Sequence, residues 1–229
     1  MNADSISPMF PLGSVLLPGM LLPLHIFEDR YRRLIEVVLE ADEPEFAVTL
    51  IERGSEVGGG DIRAMVGCTA RVLEAGRTDD GRWAVITVGI QPVQVVEWLP
   101  DDPFPRARIR PLVPPDDALI EDSGSATTSL GERLERLAVD LRRCVALASE
   151  LGQSGSVDVE LSEDPWLATF QAAALAPLGS LDRQRVLSTR STVDRLDLVE
   201  SLLEEQAGLL EGRLRLGGSD DDDLPWDPD

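Results

Sequence analysis

The residues able to do chemistry are few, and most of them sit in one stretch. Leu22-Pro23-Leu24-His25-Ile26-Phe27-Glu28-Asp29-Arg30-Tyr31-Arg32-Arg33-Leu34-Ile35 holds the only histidine and the only tyrosine of the 229-residue chain. A histidine near carboxylates can act as general base for a nucleophile elsewhere in the chain, because triad members need only meet in space. No G-x-S-x-G elbow accompanies His25, however, and a lone histidine in an apolar corner more often ties down backbone. His25 is therefore expected to hydrogen-bond backbone at a strand-to-helix turn, where an aliphatic substitute would orphan a polar group at a cost of about 1–3 kcal/mol. Arg30, Arg32 and Arg33 could gather an anion. Glu28, Asp29 and Glu36 lie within reach of them along a helix, so a solvated face of ion pairs is the expectation.

All 21 basic residues are arginine, and the chain contains no lysine. A Schiff-base lysine, a P-loop lysine and a serine–lysine dyad are thereby excluded. The glycine-rich run Gly54 to Gly60 has no lysine, no clear helix behind it, and Glu56 and Asp61 close by, so it reads as a connecting loop. Cys68 and Cys144 stand 76 positions apart without a C-x-x-C and with one histidine to join them, which makes a zinc site or a disulfide framework a poor reading. Buried free thiols in a reducing compartment are expected, and no cofactor or metal.

The net charge of −21 argues against gripping nucleic acid by its phosphates or resting on an anionic membrane. Acid exceeds base in every region. Residues 1–118 hold 11 arginines against 19 acids, residues 119–216 hold 10 against 17, and the tail holds six aspartates and no base. The start, Met1-Asn2-Ala3-Asp4-Ser5, lacks the positive region of a secretory signal, and the apolar run Val15 to Leu22 is broken by Pro18 and Gly19. A cytoplasmic protein is expected.

The elements that must position these residues are legible in outline. Pro8 to Leu12 and Ser14 to Pro18 read as short extended segments, and the chain before Pro23 reads as the end of an edge or first strand. Tyr31, Leu34, Ile35, Val38 and Leu39 recur at helical spacing, predicting a helix from Asp29 to Ala41 that ends before Pro44. Glu45 to Ile51, Ala64 to Glu74, Arg82 to Val88, Val93 to Leu99 and Arg106 to Arg110 read as strands. Thr78-Asp79-Asp80-Gly81 is a hairpin turn, and Gln91-Pro92 an interruption. So many short strands suggest a small barrel or closed sandwich. After a linker at 119–128 the period becomes helical. Helices are expected from Ser129 to Gly152, from Pro165 to Ala176, from a Ser180 cap to Leu187, and onward from a Thr192 cap. Residues 217–229 read as a disordered acidic tail.

Taken together, Phe10-Pro11-Leu12, Leu16-Leu17-Pro18-Gly19, Leu22 to Glu28 and Arg30-Tyr31 resemble the N-terminal domain of Lon protease. Gly67 to Val72, Asp80-Gly81-Arg82, Val88 to Gln91, Pro105 to Arg108 and Arg183 to Leu187 continue the likeness over about residues 8–215. The resemblance implies an α+β chain: a PUA-like β-barrel with one packed helix over residues 1–118, then a helical bundle over 129–216. It also implies a non-catalytic module that recognises protein or peptide substrates, an adaptor in protein quality control with a protease or chaperone as partner. With no G-x-x-x-x-G-K-[ST] and no lysine, the ATPase and protease modules of full-length Lon are not expected in this chain. The acidity opposes RNA binding by analogy with other PUA-like folds.

Pro23, His25, Phe27, Arg30 and Tyr31 are read as the structural signature of that family. Trp83, Trp98 and Phe104 on the strands, and Trp226 inside the acidic tail, are the candidate anchors for a partner; on the strands, core packing is the competing reading. The alternative from another class is a small-molecule-binding or hydrolytic protein that uses the barrel cleft near His25.

Overall fold

A computed structural model describes residues 4–53, 62–112, 129–153 and 160–217. The loop at 54–60, the 119–128 linker, Trp226 and all of the acidic tail after Gly217 lie outside the described residues.

The first half builds strands β1 (Ser5–Leu12), β2 (Leu21–Ile26), β3 (Glu45–Arg53), β4 (Ile62–Arg77), β5 (Trp83–Leu99) and β6 (Arg106–Pro111), with helix α1 (Asp29–Val38) between β2 and β3. The sheet runs β2-β5-β4-β3-β1-β6, and β5 also pairs with β6. Pairings β1–β3, β3–β4, β4–β5, β5–β6 and β6–β1 therefore close on themselves, giving the small barrel the resemblance implied. β1 is shared end to end: Ser5–Pro8 pair with β6 and Met9–Leu12 with β3. β2 stands outside the ring on the first half of β5, with Leu21–Ile26 opposite Val88–Trp83. Closure hides most strand edges, and among the described residues β2 and the end of β1 at Phe10–Leu12 are left with one partner each.

Three local expectations are corrected. β5 runs unbroken through Gln91-Pro92, because Pro92 falls where β5 passes from β2 to the end of β6, its carbonyl accepting from Leu112 N–H at 2.9 Å. On that stretch of edge a missing N–H costs no ladder bond. Helix α1 stops at Val38 instead of Ala41, its tail tightening into bonds from Glu40 N–H to the Val37 carbonyl and Ala41 N–H to the Val38 carbonyl. Residues 13–20 form no strand. Val15, Leu16 and Leu17 are instead buried between the barrel and the helices, and a Cβ on Gly19 would lie 3.1 Å from Leu167. The Asp-Gly hairpin forms as read, with Gly81 at φ 79° and its N–H bonded to the Thr78 carbonyl at 2.9 Å.

One close crossing locks this inner segment to the barrel. Gly89 N–H donates to the Met20 carbonyl, its own carbonyl accepts from Gly19, and a Cβ on Gly89 would lie 2.2 Å from the Leu17 carbonyl oxygen. Backbone cannot give way as a flexible side chain does. Gly89→Ala is expected to cost about 1–3 kcal/mol in urea unfolding. Gly76→Ala on β4, whose Cβ would meet nothing within 4 Å, is expected to be near neutral. Equal stabilities for the two variants would refute the crossing.

The second half is helical: α2 (Leu130–Glu150), α3 (Pro165–Leu175), α4 (Ser180–Ser188) and α5 (Thr192–Arg215). Ser129 and Glu132 form a reciprocal capping box on α2, and Asp164 caps α3 ahead of Pro165. The caps of α4 and α5 sit one residue earlier than expected, at Gly179 and Ser191. The Ser191 hydroxyl accepts from Asp194 N–H, and Ser180 and Thr192 are already helical. Leu137, Leu141 and Cys144 of α2 face Leu196, Val199, Leu202 and Leu203 of α5 in a buried cluster that continues without a break into Phe10, Tyr31 and Phe46 of the barrel. Gln184 of α4 donates to the Val66 carbonyl of β4 at 3.0 Å. A smaller cluster of Met9, Ala47, Val93, Val95, Ala107 and Ile109 forms the second buried group of the barrel.

Candidate functional site

The stretch 22–35 builds one corner. β2 alternates, so Leu24 and Ile26 turn inward while Leu21, Pro23 and His25 face solvent. The expected hydrogen bond from His25 to backbone is not made: its ring is exposed and bonds to no described residue. Its position in the alternation, out of phase with Leu24 and Ile26, is the physical reason. Phe27, read as part of the structural signature, is also turned outward and is 56% exposed.

After Glu28 the chain enters α1 and dives back into the barrel. Tyr31, Leu34, Ile35 and Val38 are its buried face. Tyr31 stacks on Phe10 with ring centroids 4.2 Å apart, and Phe10 leans on Phe46 at 5.9 Å. Arg30 lies across the other side of Tyr31, its guanidinium carbon 4.5 Å from the ring centroid and its Nε 3.0 Å from Glu28. Guanidinium and three rings thus form a column through the barrel wall. Arg32 pairs with Asp29, and Arg33 with Glu36 at 3.3 Å, so the arginines sit in ion pairs along one helix face.

The column does not fill the corner. Between the second half of β1 and β2 a cleft of about 220 Å³ remains, lined by Phe10, Leu12, Leu24, Ile26 and Tyr31, with Pro23, His25, Phe27 and Glu28 among its other lining residues. Its lining is apolar apart from His25, Glu28 and the Tyr31 phenol, and it contains no serine, threonine or cysteine. Sequence reasoning named His25 and Tyr31 but missed Phe10 and Leu12 as walls. Strand alternation around Pro23 was the available signal, since it places Leu21 and Phe27 outside on an edge strand.

The other candidate anchors are dispersed. Phe104 is 5% exposed and belongs to the main core, so it cannot anchor a partner from outside. Trp83, opposite Ile26, is half-buried with Arg77 5.4 Å above its ring. Trp98 is half-buried against the second cluster, with Arg63 at 4.7 Å. A larger depression of about 820 Å³ lies between α2 and α5, but its walls are bridged by ion pairs. Arg133 bonds Asp197 at 2.6 Å and Glu200 at 2.5 Å, and Arg143 bonds Glu211. The Arg143 hydrogen bond and charge hold the Glu211 carboxyl below its usual range. The groove is wide, polar and already paired, which makes it a weaker docking site than the apolar cleft.

Cys68 and Cys144 are free and buried, and burial pushes both thiols up. Among the described residues no cluster of three or more His, Cys, Asp or Glu side chains could hold a metal, and no helix is long and apolar enough to cross a membrane.

A small closed β-sheet with one packed helix, joined to a helical bundle, is the α+β class these features define. The model of the ATP-dependent protease La (LON) substrate-binding domain matches residues 6–205, and the chain belongs to that family. It is 23% identical over 206 residues to Lon protease of Heliobacterium modesticaldum, and 25% identical over 207 residues to Lon protease 2 of Herpetosiphon aurantiacus. Each match covers 89% of this chain and 24% of the relative, so the chain spans about a quarter of their length. The fold is shared with a Lon N-terminal domain protein from Xanthomonas campestris, at TM-score 0.62 and 23% identity over 86% of this chain and 98% of that one. It is shared too with the N-terminal domain of Mycobacterium avium complex Lon protease, at TM-score 0.59 and 17% identity over 89% and 98%.

Proposed function

We propose that this chain is a non-catalytic module that binds protein or peptide substrates, serving protein quality control as an adaptor to a protease or chaperone. The observation that carries the reading is the family match over residues 6–205, whose description is that of a substrate-binding domain. The apolar cleft between β1 and β2, rimmed by the exposed Phe27, supports it by offering contact area without a reaction centre. The two buried free thiols suit a reducing cytoplasm.

A small-molecule or hydrolytic role would use the same cleft. At about 220 Å³ it is smaller than the roughly 300–1,000 Å³ of ordinary ligand pockets. No hydroxyl or thiol nucleophile of the serine, threonine or cysteine kind lines it beside His25. The peptide-binding reading is the better supported.

The test is fluorescence anisotropy with a labelled, reduced and alkylated protein and with its native counterpart. Saturable binding of the unfolded form at least about tenfold tighter than the native form, a difference of about 1.4 kcal/mol, is expected. Indifference to the folding state of the probe, or no binding, would overturn the reading.

A further inference from the structure

We propose that the seam between β1 and β2 takes an extended peptide segment, which adds as a strand to the free edge of β2 and seats one apolar side chain on Phe10 and Tyr31. The inference rests on the substrate-binding reading and gives it a place and a mode.

The backbone of β2 is the first support. Among the described residues β2 is paired with β5 on one edge only. The Leu22 carbonyl accepts from the Thr87 hydroxyl at 3.0 Å, so Leu22, Leu24 and Ile26 direct their backbone groups toward β5. By alternation, Leu21, Pro23 and His25 direct theirs outward. Pro23 then sits at an outward position, where its missing N–H costs nothing internally and removes one donor from the open edge. That blunts indiscriminate pairing. What remains for a partner strand is the N–H and C=O of His25, the C=O of Pro23, and the N–H and C=O of Leu21.

The geometry beyond that edge is the second support. Met9 N–H is still bonded to the Pro105 carbonyl beside β6, but Phe10–Leu12 of β1 pair with β3 alone among the described residues, so the cleft lies between two strands that each have one partner there. Its volume of about 220 Å³ suits a single side chain better than a whole ligand. Leu21, 59% exposed, and Phe27 stand at opposite ends of the open edge and extend the apolar contact along the added strand.

Charge defines the occupant. The chain carries −21, with 19 acids against 11 arginines over residues 1–118, and the acid lining the mouth, Glu28, is already paired with Arg30, so it is the surrounding field that selects. A segment with its apolar anchor set between lysines or arginines is drawn in, and an acidic one is repelled. A second copy of this chain, equally acidic, is a poor occupant for the same reason.

The test uses the full chain and fluorescein-labelled ten-residue peptides of alternating threonine and valine, with a central phenylalanine flanked by lysines. Parallel peptides carry serine for phenylalanine, glutamate for lysine, or N-methylated backbone on the strand-pairing edge. The phenylalanine–lysine peptide is expected to bind, and each altered peptide to bind about tenfold more weakly. On the protein side, His25→Pro removes the outward N–H, whereas His25→Ala keeps it. His25→Pro is expected to weaken binding about tenfold more than His25→Ala, and Phe27→Ser to weaken it as well. Should His25→Pro fail to fold, the N-methylated peptide carries the same test. Peptide binding indifferent to N-methylation and to both substitutions overturns the seam. So does tight binding of unfolded protein that the peptides and Phe27→Ser leave unchanged, although the broader reading then stands. Failure of unfolded protein and peptides alike overturns both. A concentration-dependent dimer abolished by His25→Pro, without peptide binding, would assign the edge to a second copy and refute the peptide.

Discussion

Arg195→Ala is expected to lower the unfolding free energy by about 3–5 kcal/mol, with the barrel contacts untouched. Arg195 is 1% exposed, the largest fully buried side chain among the described residues. Among the described residues no carboxylate is in hydrogen-bond contact with it. Its Nε donates to the Thr169 hydroxyl at 2.8 Å, and its terminal nitrogens donate to the Thr189 carbonyl at 2.9 Å, the Thr192 hydroxyl at 3.3 Å and the Trp166 carbonyl at 3.4 Å. The guanidinium also lies 4.0 Å from the centre of the Phe170 ring. One side chain thus ties α3, the turn before α5 and α5 itself. Truncation opens a cavity and orphans several acceptors together. Arg195→Met is expected to cost less than Ala because it refills the volume, and Arg195→Lys keeps the charge but loses the planar fork.

Burial pulls the Arg195 pKa down to about 10, and the group stays charged at neutral pH. Between about pH 10 and the ordinary arginine range the folded chain holds this proton less tightly than the unfolded chain does. By linkage the contribution of Arg195 to stability rises with pH across that window, because the folded state no longer carries a desolvated charge. Urea denaturation of the wild type and Arg195→Ala checks the size of the effect. A loss below about 1 kcal/mol would mean that the hub is not holding the helices.

Tyr31→Ala is the second large effect, again about 3–5 kcal/mol, and it acts on the barrel. Tyr31 is the middle of the column from Arg30 to Phe46, and its loss leaves Phe10 without its stacking partner and Arg30 without a face to lie on. The hole opens directly into the existing cleft between β1 and β2. Tyr31→Phe keeps the ring and is expected to retain most of the stability. If Tyr31→Ala leaves the urea midpoint unchanged, α1 is not docked through this residue. The corner that gathers the rarest side chains is therefore a clasp, and the proposed docking seam is the gap the clasp leaves.

Signals that depend on neighbours in the chain were legible before the fold was known. Asp80-Gly81 announced its hairpin because only a residue tolerant of positive φ suits that turn. Ser129 and Pro165 marked helix starts in the sequence, and the structure adds the caps that fix them, Glu132 reciprocating Ser129 and Asp164 accepting from Trp166 N–H. The pairing of Arg30, Arg32 and Arg33 with Glu28, Asp29 and Glu36 followed from the same short reach. Arg195 escaped notice, although it shares the helical face of Val199 and Leu202, because arginine on an apolar stripe ordinarily extends its head to water.

By itself the sequence determined the exclusions and the family. A chain without lysine has no serine–lysine dyad, and a net charge of −21 does not favour a phosphate backbone. The motifs from Phe10 to Tyr31 carried the resemblance that the match over residues 6–205 bears out. Only the tertiary structure decided which surfaces remain open. Whether β2 has one partner or two depends on Ser5 meeting Ile109 and on β5 exchanging β2 for β6, contacts between residues far apart in the chain. Local propensity carries no information about such closure. His25 shows the consequence: its neighbours predicted a buried hydrogen bond, and the strand register turned it to solvent on the open edge of β2.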